Sequence, residues 1–317
     1  MKRILVTGAA GFIGSACAAE LAKQGHFILG IDNFSDYYDV SLKKDRVKEF
    51  FSDDMVFVQA DILDKEKVLS LCKEHNITEI LHLAAQAGVR YSLENPSTYV
   101  QTNVQGTTNI FEIAKELEIG KIVFASSSSV YGNSSKEEFS ESDDVTNPVS
   151  LYAATKVAKE VLARTYYNLY GISSVGLRFF TVYGPWGRPD MSPHIFAHCL
   201  VKQKPIPLFN NGKMQRGFTY ITDIVSGVVS AVNYSCSGVE IFNLSSNGTV
   251  ELEEYVSSLA KAFHMSPLIE NKPMQKGDVY RTHADISKAR KELGYDPKVS
   301  IKEGLQAFAD WFLEYYD

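Results

Sequence analysis

Two side chains with proton-transfer chemistry stand one helical turn apart near the middle of the chain. The segment Tyr152-Ala-Ala-Thr-Lys156 places a phenol and an ammonium group on one face of a predicted helix. A phenol has a pKa of about 10 and is a poor base at neutral pH, but a neighbouring cation favours its ionised form. Chance alone predicts about one Tyr-x-x-x-Lys pair in such a chain. Without supporting context, the pair is a helix-face tyrosine and a solvated lysine.

A glycine-rich turn directly follows the first apolar run of the chain. The turn, GAAGFIG (8–14), lies between the run RILVT (3–7) and a segment of helical period. Glycines let the backbone turn tightly and approach a pyrophosphate, whose charge is then met by N–H groups at the helix N-terminus. Asp32 ends the second apolar run, where a carboxylate accepts the ribose hydroxyls of a dinucleotide. The pattern predicts NAD over NADP, because the carboxylate repels a 2′-phosphate.

Together the two motifs predict hydride-transfer chemistry. With an oxidised nicotinamide beside it, a phenolate can remove a hydroxyl proton while the ring takes hydride from the same carbon. A serine run, SSSS (126–129), follows the apolar run KIVFA (121–125) and precedes Tyr152. One of these hydroxyls is expected to share the proton or to hold the resulting carbonyl oxygen. Serine runs are also common in plain turns, so only one or two need be functional.

Alternating apolar runs and helical segments must position these motifs. Apolar runs without polar alternation suit strands that are covered on both faces, and their alternation with helices predicts a parallel sheet of βαβ units. We expect an α/β fold with a Rossmann-type doubly wound parallel sheet over residues 1–180. The rhythm then changes, which predicts a smaller α/β substrate domain over 181–317, with a segment near 221–245 returning to the first domain. The expected strands include RILVT (3–7), FILGID (27–32), MVFVQA (55–60), EILHLA (79–84), KIVFA (121–125) and SVGLRFF (174–180).

Composition limits the class of the protein. With 45% hydrophobic and 22% charged residues among 317, the chain argues against disorder, collagen repeats and coiled coils. Its 32 basic and 38 acidic residues give a net charge of −6, which repels nucleic acid and anionic membranes. No stretch has the pattern of a membrane span or a secretory signal. The four dispersed cysteines predict a reducing cytoplasm, and we expect no metal site.

Larger segments carry a resemblance to a known family. The glycine turn, SSSSVYG (126–132), the Tyr152 and Lys156 pair and LRFFTVYGP (177–185) are similar to the extended short-chain dehydrogenase/reductase family of nucleotide-sugar epimerases and dehydratases. Within it, segments spanning essentially the whole chain resemble the UDP-glucuronate 4-epimerases. These segments are DNFSDYYDVSLKKDR (32–46), LAAQAGVRYSLENP (83–96), VYGPWGRPDM (182–191) and GDVYRTHADISKARKELGYDP (277–297).

The resemblance implies an NAD-dependent isomerase that converts UDP-glucuronate into UDP-galacturonate through a 4-keto sugar. Dehydratases and decarboxylases of the family carry an acidic residue just before VYG, where this chain has Ser129, so simple epimerisation is expected. The alternatives are a 4-epimerase of UDP-glucose or UDP-N-acetylglucosamine, and a non-catalytic NAD-binding regulatory protein. The resemblance also implies a homodimer, formed through helices within 96–118 and 151–169.

Individual roles follow from the resemblance. Ser127, Tyr152 and Lys156 form the expected catalytic set, with Tyr152 as the base. Arg188 and Thr181 are expected at the sugar carboxylate, because a planar guanidinium can grip a carboxylate bidentately. The expected cofactor contacts are Gly8, Gly11, Phe12, Ile13, Gly14, Asp32, Asn33, Asp61, Ile62, Leu83, Ala84, Ala85, Asn103 and Lys156, where Asp61 is either an adenine contact or a loop aspartate. The expected substrate contacts are Arg90, Ser127, Ser128, Thr181, Arg188, Arg216 and Arg281.

Overall fold

A parallel β-sheet forms the centre of the molecule in a computed structural model, which describes residues 1–134, 136–273 and 281–316, with Arg281 described by its backbone alone. The central strands are apolar and largely buried, because helices cover both faces. The strands within the described residues are β1 (Arg3–Thr7), β2 (Phe27–Asp32), β3 (Val56–Gln59), β4 (Glu79–His82), β5 (Lys121–Ala125), β6 (Ser173–Phe179), β7 (Thr181–Tyr183), β8 (Ile206–Phe209), β9 (Gln215–Arg216), β10 (Phe218–Tyr220), β11 (Val239–Leu244), β12 (Val250–Glu251), β13 (Ile269–Lys272) and β14 (Arg281–Thr282).

The central sheet has seven strands in the order β11, β6, β5, β4, β1, β2, β3, and every neighbouring pair is parallel. The chain starts in the middle at β1, runs out to β3 and then crosses to β4 on the other side of β1. This is the doubly wound Rossmann order, so the predicted fold class is confirmed. β11 lies within the 221–245 segment and pairs with β6. The division of the chain into two domains at residue 180 stays a prediction.

Helices cover both faces of the sheet. α1, α9 and α11 pack on one face, and α3, α6 and α7 pack on the other. A π-helical turn (Val100–Gln105) joins α5 to α6, and a 3₁₀ turn (Ser128–Tyr131) follows β5. The helices within the described residues are α1 (Phe12–Lys23), α2 (Val40–Phe50), α3 (Lys65–Glu74), α4 (Tyr91–Glu94), α5 (Pro96–Tyr99), α6 (Gly106–Glu116), α7 (Leu151–Tyr170), α8 (Ser192–Val201), α9 (Ile221–Asn233), α10 (Leu252–Ala262), α11 (Ser287–Leu293) and α12 (Ile301–Tyr316).

A separate apolar core lies in the later part of the chain. It joins α8, α10 and α12 to the short strands β8 and β10, with Phe308 and Phe312 among its buried rings. The small sheets pair β10 with β7, β13 with β8, and β9 with both β12 and β14. Across the ranges that the structure describes, no helix is both long and apolar enough to span a bilayer.

Candidate active site

Most of the predicted site residues lie at the carboxyl edge of the sheet. Gly8 follows β1, Asp32 ends β2, and Asp61 lies just beyond β3. Leu83 follows β4, and Ser127 lies beyond β5. The strand order reverses between β1 and β4, and doubly wound sheets bind ligands at this crevice. The topology therefore brings together side chains that are far apart in the sequence.

The glycine turn is shaped to take a phosphate group. Gly8 has a φ of +72°, and a Cβ there would lie 2.8 Å from the backbone nitrogen of Ala84. A Cβ on Gly14 would collide with the carbonyl oxygen of Gly8. Gly11 caps α1 without a side-chain hydrogen bond, so the N–H groups of the first helical turn are available to an anion. These residues fit the pyrophosphate of a dinucleotide.

Asp32 connects the end of β2 to the glycine turn. Its carboxylate accepts the N–H of Ala10 at 3.2 Å and that of Phe34 at 2.9 Å. Burial raises the pKa of Asp32, and the charge of Lys43 opposes the shift. The carboxylate thus stands beside the phosphate-binding turn, where the ribose of a bound dinucleotide would lie.

The carboxylate of Asp61 accepts hydrogen bonds from two nearby residues of the protein. The side chain of Asn33 donates to Oδ2 of Asp61 at 2.9 Å, and the N–H of Leu63 donates to Oδ1 at 2.9 Å. Ile62 is buried, close to the backbone of Gly106. Asp61 therefore shapes the loop after β3, and its contact with adenine stays a prediction.

Asn103 fixes the loop that follows β4. It lies in the π-helical turn and is fully buried. Its Oδ1 accepts the N–H of Gln86 at 2.8 Å, and its Nδ2 donates to the carbonyl of Gln86 and to Oγ1 of Thr155, each at 3.0 Å. Both amide hydrogens are thus used within the protein. The amide joins the loop that carries Leu83, Ala84 and Ala85 to α7, and a direct contact with the cofactor stays a prediction.

Tyr152 and Lys156 lie in the first turns of α7. Oγ of Ser150 caps the helix by accepting the N–H of Ala153 at 3.1 Å. Nζ of Lys156 donates to the carbonyl of Ala125 at 3.1 Å and lies 5.6 Å from the centre of the Tyr152 ring. Burial lowers the pKa of Lys156, and the proximity of Tyr152 opposes the shift. The hydroxyl of Tyr152 makes no hydrogen bond within the described residues, which leaves it available to a substrate.

A buried ion pair sets the rotation of α7. Arg178 of β6 donates to both carboxylate oxygens of Glu160, from Nε at 2.9 Å and from Nη2 at 2.8 Å. Both side chains are 1% exposed. Oγ of Ser126 also donates to Glu160, at 2.6 Å. Because Glu160 lies one turn beyond Lys156, the pair holds the catalytic face of α7 toward β5; the sequence analysis did not predict it.

The structure distinguishes the members of the serine run. The hydroxyl of Ser126 is committed to Glu160. Ser127 begins the 3₁₀ turn, where its Oγ accepts the N–H of Ser129 at 3.2 Å and contacts Oγ of Ser129 at 3.2 Å. Ser128 is partly exposed. Ser129 is partly exposed as well, and the contacts of Ser127 and Ser128 with a substrate stay predictions.

Arg188 lies between β7 and α8 and is held by a carboxylate. Its Nε donates to Oδ1 of Asp190 at 3.0 Å and its Nη2 donates to Oδ2, while the hydroxyl of Tyr37 donates to Oδ2 at 3.0 Å. Burial opposes the charge of Arg188, but Asp190 outweighs burial and raises its pKa. The charge of Arg188 adds to burial in lowering the pKa of Lys156. A series of ring contacts links this group to Tyr152: Tyr37 packs on Tyr91, Tyr91 on Tyr99 and Tyr99 on Tyr152, with ring centres 4.9, 6.2 and 6.1 Å apart.

The other predicted substrate residues lie on separate elements. The guanidinium of Arg90 lies 5.7 Å from the centre of the Phe209 ring. Arg216 lies in β9, where its Nη1 donates to the carbonyl of Gln215 at 2.9 Å. Thr181 begins β7, and the side chain of Arg281 lies outside the described residues. Their contacts with a substrate stay predictions.

Two buried cations on α2 were not predicted. Lys43 donates to the carbonyl of Ser35 at 2.6 Å, and Arg46 is fully buried. The sequence does contain a sign of this burial, because the two charged residues are three positions apart and share a helix face with the apolar Leu42. A charge on the buried face of a helix indicates a partner that the sequence alone does not name.

The histidines are structural in their contacts. His82 is buried, with Nδ1 2.8 Å from Oγ1 of Thr7 and Nε2 3.0 Å from Oγ1 of Thr107. His194 and His198 lie in α8 among aromatic rings of α12. In the described ranges, no group of three or more His, Cys, Asp or Glu side chains could hold a metal ion.

Comparisons with known proteins agree with this geometry. Residues 5–308 match the family model described as GDP-mannose 4,6 dehydratase. UDP-glucuronate 4-epimerase 4 of Arabidopsis thaliana is 45% identical over 99% of this chain and 76% of its own length. The crystal structure of a Bacillus cereus UDP-glucuronic acid 4-epimerase, in complex with UDP-glucuronic acid and NAD, has a TM-score of 0.92 and 35% identity and covers 99% of this chain and 100% of its own.

A second solved structure is a UDP-glucose 4-epimerase from Thermotoga maritima, with UDP-glucose. It has a TM-score of 0.91 and 28% identity, and it covers 99% of this chain and 100% of its own. The family model and these relatives all cover most of the chain. The chain therefore belongs to the GDP-mannose 4,6-dehydratase family, within the extended short-chain dehydrogenase/reductase group of nucleotide-sugar epimerases and dehydratases.

Proposed function

We propose that the protein interconverts UDP-glucuronate and UDP-galacturonate by NAD-dependent epimerisation at C4 of the sugar. The observation that carries this proposal is the placement of Arg188, held by Asp190, whose partner Tyr37 is joined to Tyr152 by the ring contacts of Tyr91 and Tyr99. The tyrosine and lysine pair suits the oxidation of a sugar hydroxyl, and the guanidinium suits a carboxylate on the same sugar. Two proteins named as UDP-glucuronate or UDP-glucuronic acid 4-epimerases are 45% and 35% identical to this chain.

The residues present fit NAD. The glycine turn would hold the pyrophosphate, Asp32 the adenosine ribose, and Lys156 the nicotinamide ribose. When bound, NAD supplies an acceptor for the C4 hydride and a donor for its return, so the reaction needs no external redox partner. The roles of the individual residues form part of this proposal.

Tyr152 is the proposed base for the hydroxyl at C4. The buried ammonium of Lys156 lies 5.6 Å from the centre of the Tyr152 ring, so its positive charge stands beside the proposed base. Ser127 is proposed to hydrogen-bond the oxygen at C4 while it is a carbonyl. The proton returns from Tyr152 when the hydroxyl is re-formed, so the enzyme ends each cycle in its starting state.

Arg188 is the proposed grip on the sugar carboxylate. Oxidation at C4 of a uronate makes a β-keto acid, which loses carbon dioxide unless the carboxylate is held in a geometry that resists cleavage. Asp190 binds Nε and Nη2 of Arg188, which leaves the two N–H groups of Nη1 and one of Nη2 for a second carboxylate. Thr181 is the proposed additional contact.

One product assay tests the proposal. Purified protein is incubated separately with UDP-glucuronate, UDP-glucose and UDP-N-acetylglucosamine, and the sugar nucleotides are followed by NMR. We expect conversion of UDP-glucuronate to UDP-galacturonate, and loss of at least about 100-fold in rate for Y152F with NAD still bound. Turnover of only the neutral sugars would defeat the choice of substrate. Full activity of Y152F would exclude Tyr152 as the base.

We also propose a homodimer formed through the helices within 96–118 and 151–169. Its support is the exposure of large apolar side chains on these elements: Val100 is 47%, Val161 51% and Leu169 64% exposed. A twofold helix bundle would bury them against their copies. We expect light scattering to give a dimer at micromolar concentration and a V161E/L169E variant to be monomeric. A monomeric wild-type protein would contradict this. A cytoplasmic location stays a prediction.

A further inference from the structure

Arg46 is a buried cation that bridges three segments of the chain. Its side chain is fully buried. Nε donates to the carbonyl of Trp186 at 2.9 Å and Nη2 to that of Gly187 at 2.9 Å. Nη1 donates to the carbonyl of Ala10 at 3.2 Å and to the hydroxyl of Tyr38 at 2.7 Å. No carboxylate forms an ion pair with Arg46 anywhere in the ranges that the structure describes.

Burying an ion that has no carboxylate in direct contact is costly, so its acceptors must be well placed. The acceptors of Arg46 come from the glycine turn, from the loop after β2 and from the segment between β7 and α8. That last segment has an unusual backbone, with a φ of +62° at Trp186 and +139° at Gly184. The bonds from Arg46 to two successive carbonyls hold it in this conformation.

The residue after these two carbonyls is Arg188. We propose that Arg46 is a positioning residue that sets where Arg188 presents its guanidinium to the carboxylate of the sugar. The inference rests on the proposed function, since it needs Arg188 to bind that carboxylate. Asp190, which also accepts the hydroxyl of Tyr37, holds the side chain of Arg188, while Arg46 holds the preceding backbone carbonyl of Gly187. The same cation contacts the phosphate-binding turn, so it ties the cofactor site to the substrate site.

The test compares two ligands that differ in the carboxylate. Dissociation constants of UDP-glucuronate and UDP-glucose are measured by calorimetry on holoenzyme carrying R46M, R46K or R188M. K44M is the matched control, because Lys44 is an exposed cation on the same helix. The chain has two tryptophans, Trp186 and Trp311, whose ring centres lie 5.3 Å apart, so tryptophan emission and acrylamide quenching report on the bridged segment.

We expect R46M to weaken UDP-glucuronate binding about tenfold and UDP-glucose binding less than about twofold, because the bond lost to the ligand is charge-assisted. R46K should recover part of the loss, since it keeps the charge but cannot reach all four acceptors. Acrylamide quenching should rise in R46M and stay at the wild-type level in K44M. If R46M does not fold, the R46K measurements decide the question by themselves.

Equal weakening of both ligands in R46M, or unchanged quenching, would overturn the role of Arg46. The R188M variant separates this failure from a failure of the proposed function. If R188M does not change the ratio of the two affinities, Arg188 does not bind the carboxylate and the proposed function loses its main support. If R188M changes the ratio and R46M does not, only the inference about Arg46 is wrong.

Discussion

His194 gives the molecule a measurable sensitivity to acid. Its side chain is 1% exposed and lies against the rings of Phe308 and Trp311, and Nε2 has no hydrogen-bond partner within the described residues. A Cβ on Gly187 would lie 3.3 Å from the ring, so the histidine supports the segment that carries Arg188. A charge on this ring would be expensive, because the ring is buried and Nε2 would have no acceptor among the described residues.

The size of the effect follows from the pKa. Burial lowers the pKa of His194 from 6.5 to about 3, with smaller contributions in the same direction from His198 and Arg46. Below pH 6.5, His194 is therefore protonated in the unfolded chain but stays neutral in the folded protein. The free energy of unfolding falls as the pH falls from 6.5 toward 3. Between pH 7 and pH 5 the loss amounts to about 2 kcal/mol.

The variant H194F keeps an aromatic ring at this position and removes the titration. Urea unfolding, followed by circular dichroism at pH 7 and pH 5, should show that the free energy of unfolding of H194F gains about 2 kcal/mol relative to wild type on acidification. His264 is exposed and has a φ of +52°, which asparagine tolerates, so H264N serves as the control and should show no such gain. A difference between H194F and wild type that is the same at both pH values would refute the reasoning.

Further predictions concern two buried groups and the cofactor preference. Burial lowers the pKa of Lys159 far below its ordinary value, and its Nζ has no hydrogen-bond partner in the described ranges. K159M should therefore raise the free energy of unfolding, measured by urea titration at pH 7, by about 1–3 kcal/mol. Destabilisation by K159M would contradict this. E160Q should destabilise by about 3–5 kcal/mol, because it leaves the buried charge of Arg178 unpaired, and an unchanged thermal midpoint would count against it. D32N should raise the affinity for NADP relative to NAD about tenfold in equilibrium dialysis, and an unaltered ratio would disprove the role of the carboxylate.

The fold was predictable because its signals are local. Each apolar run that indicated a strand forms one, from β1 at Arg3–Thr7 to β6 at Ser173–Phe179. The glycine turn is also a local feature, since its conformation depends on neighbouring residues and on the absence of side chains. The helices expected within 96–118 are present, but the π-helical turn that carries Asn103 lies between them, and apolar periodicity does not reveal such a turn.

The missed features depend on pairs of residues that are far apart in the sequence. Glu160 finds Arg178 and Arg46 finds the carbonyls of Trp186 and Gly187 only after the sheet has formed. In a single sequence, a lone charge on a helix face has the pattern of a solvated group. Burial distinguishes a charge that is paired inside the protein from a solvated one, and the burial of a side chain follows from the tertiary structure.

Local contacts position the proposed catalytic groups, whereas contacts between residues far apart in the sequence position the group proposed to select the substrate. Tyr152 and Lys156, the proposed catalytic groups, lie one turn apart on α7, so a single helix fixes them and the sequence reveals them. The proposed grip on the sugar carboxylate lies on an irregular segment whose backbone is held by a cation from α2. On the proposed function, contacts between separate elements would set the identity of the sugar, and substitutions at Arg46 should change which sugar is bound while leaving Tyr152 and Lys156 in place.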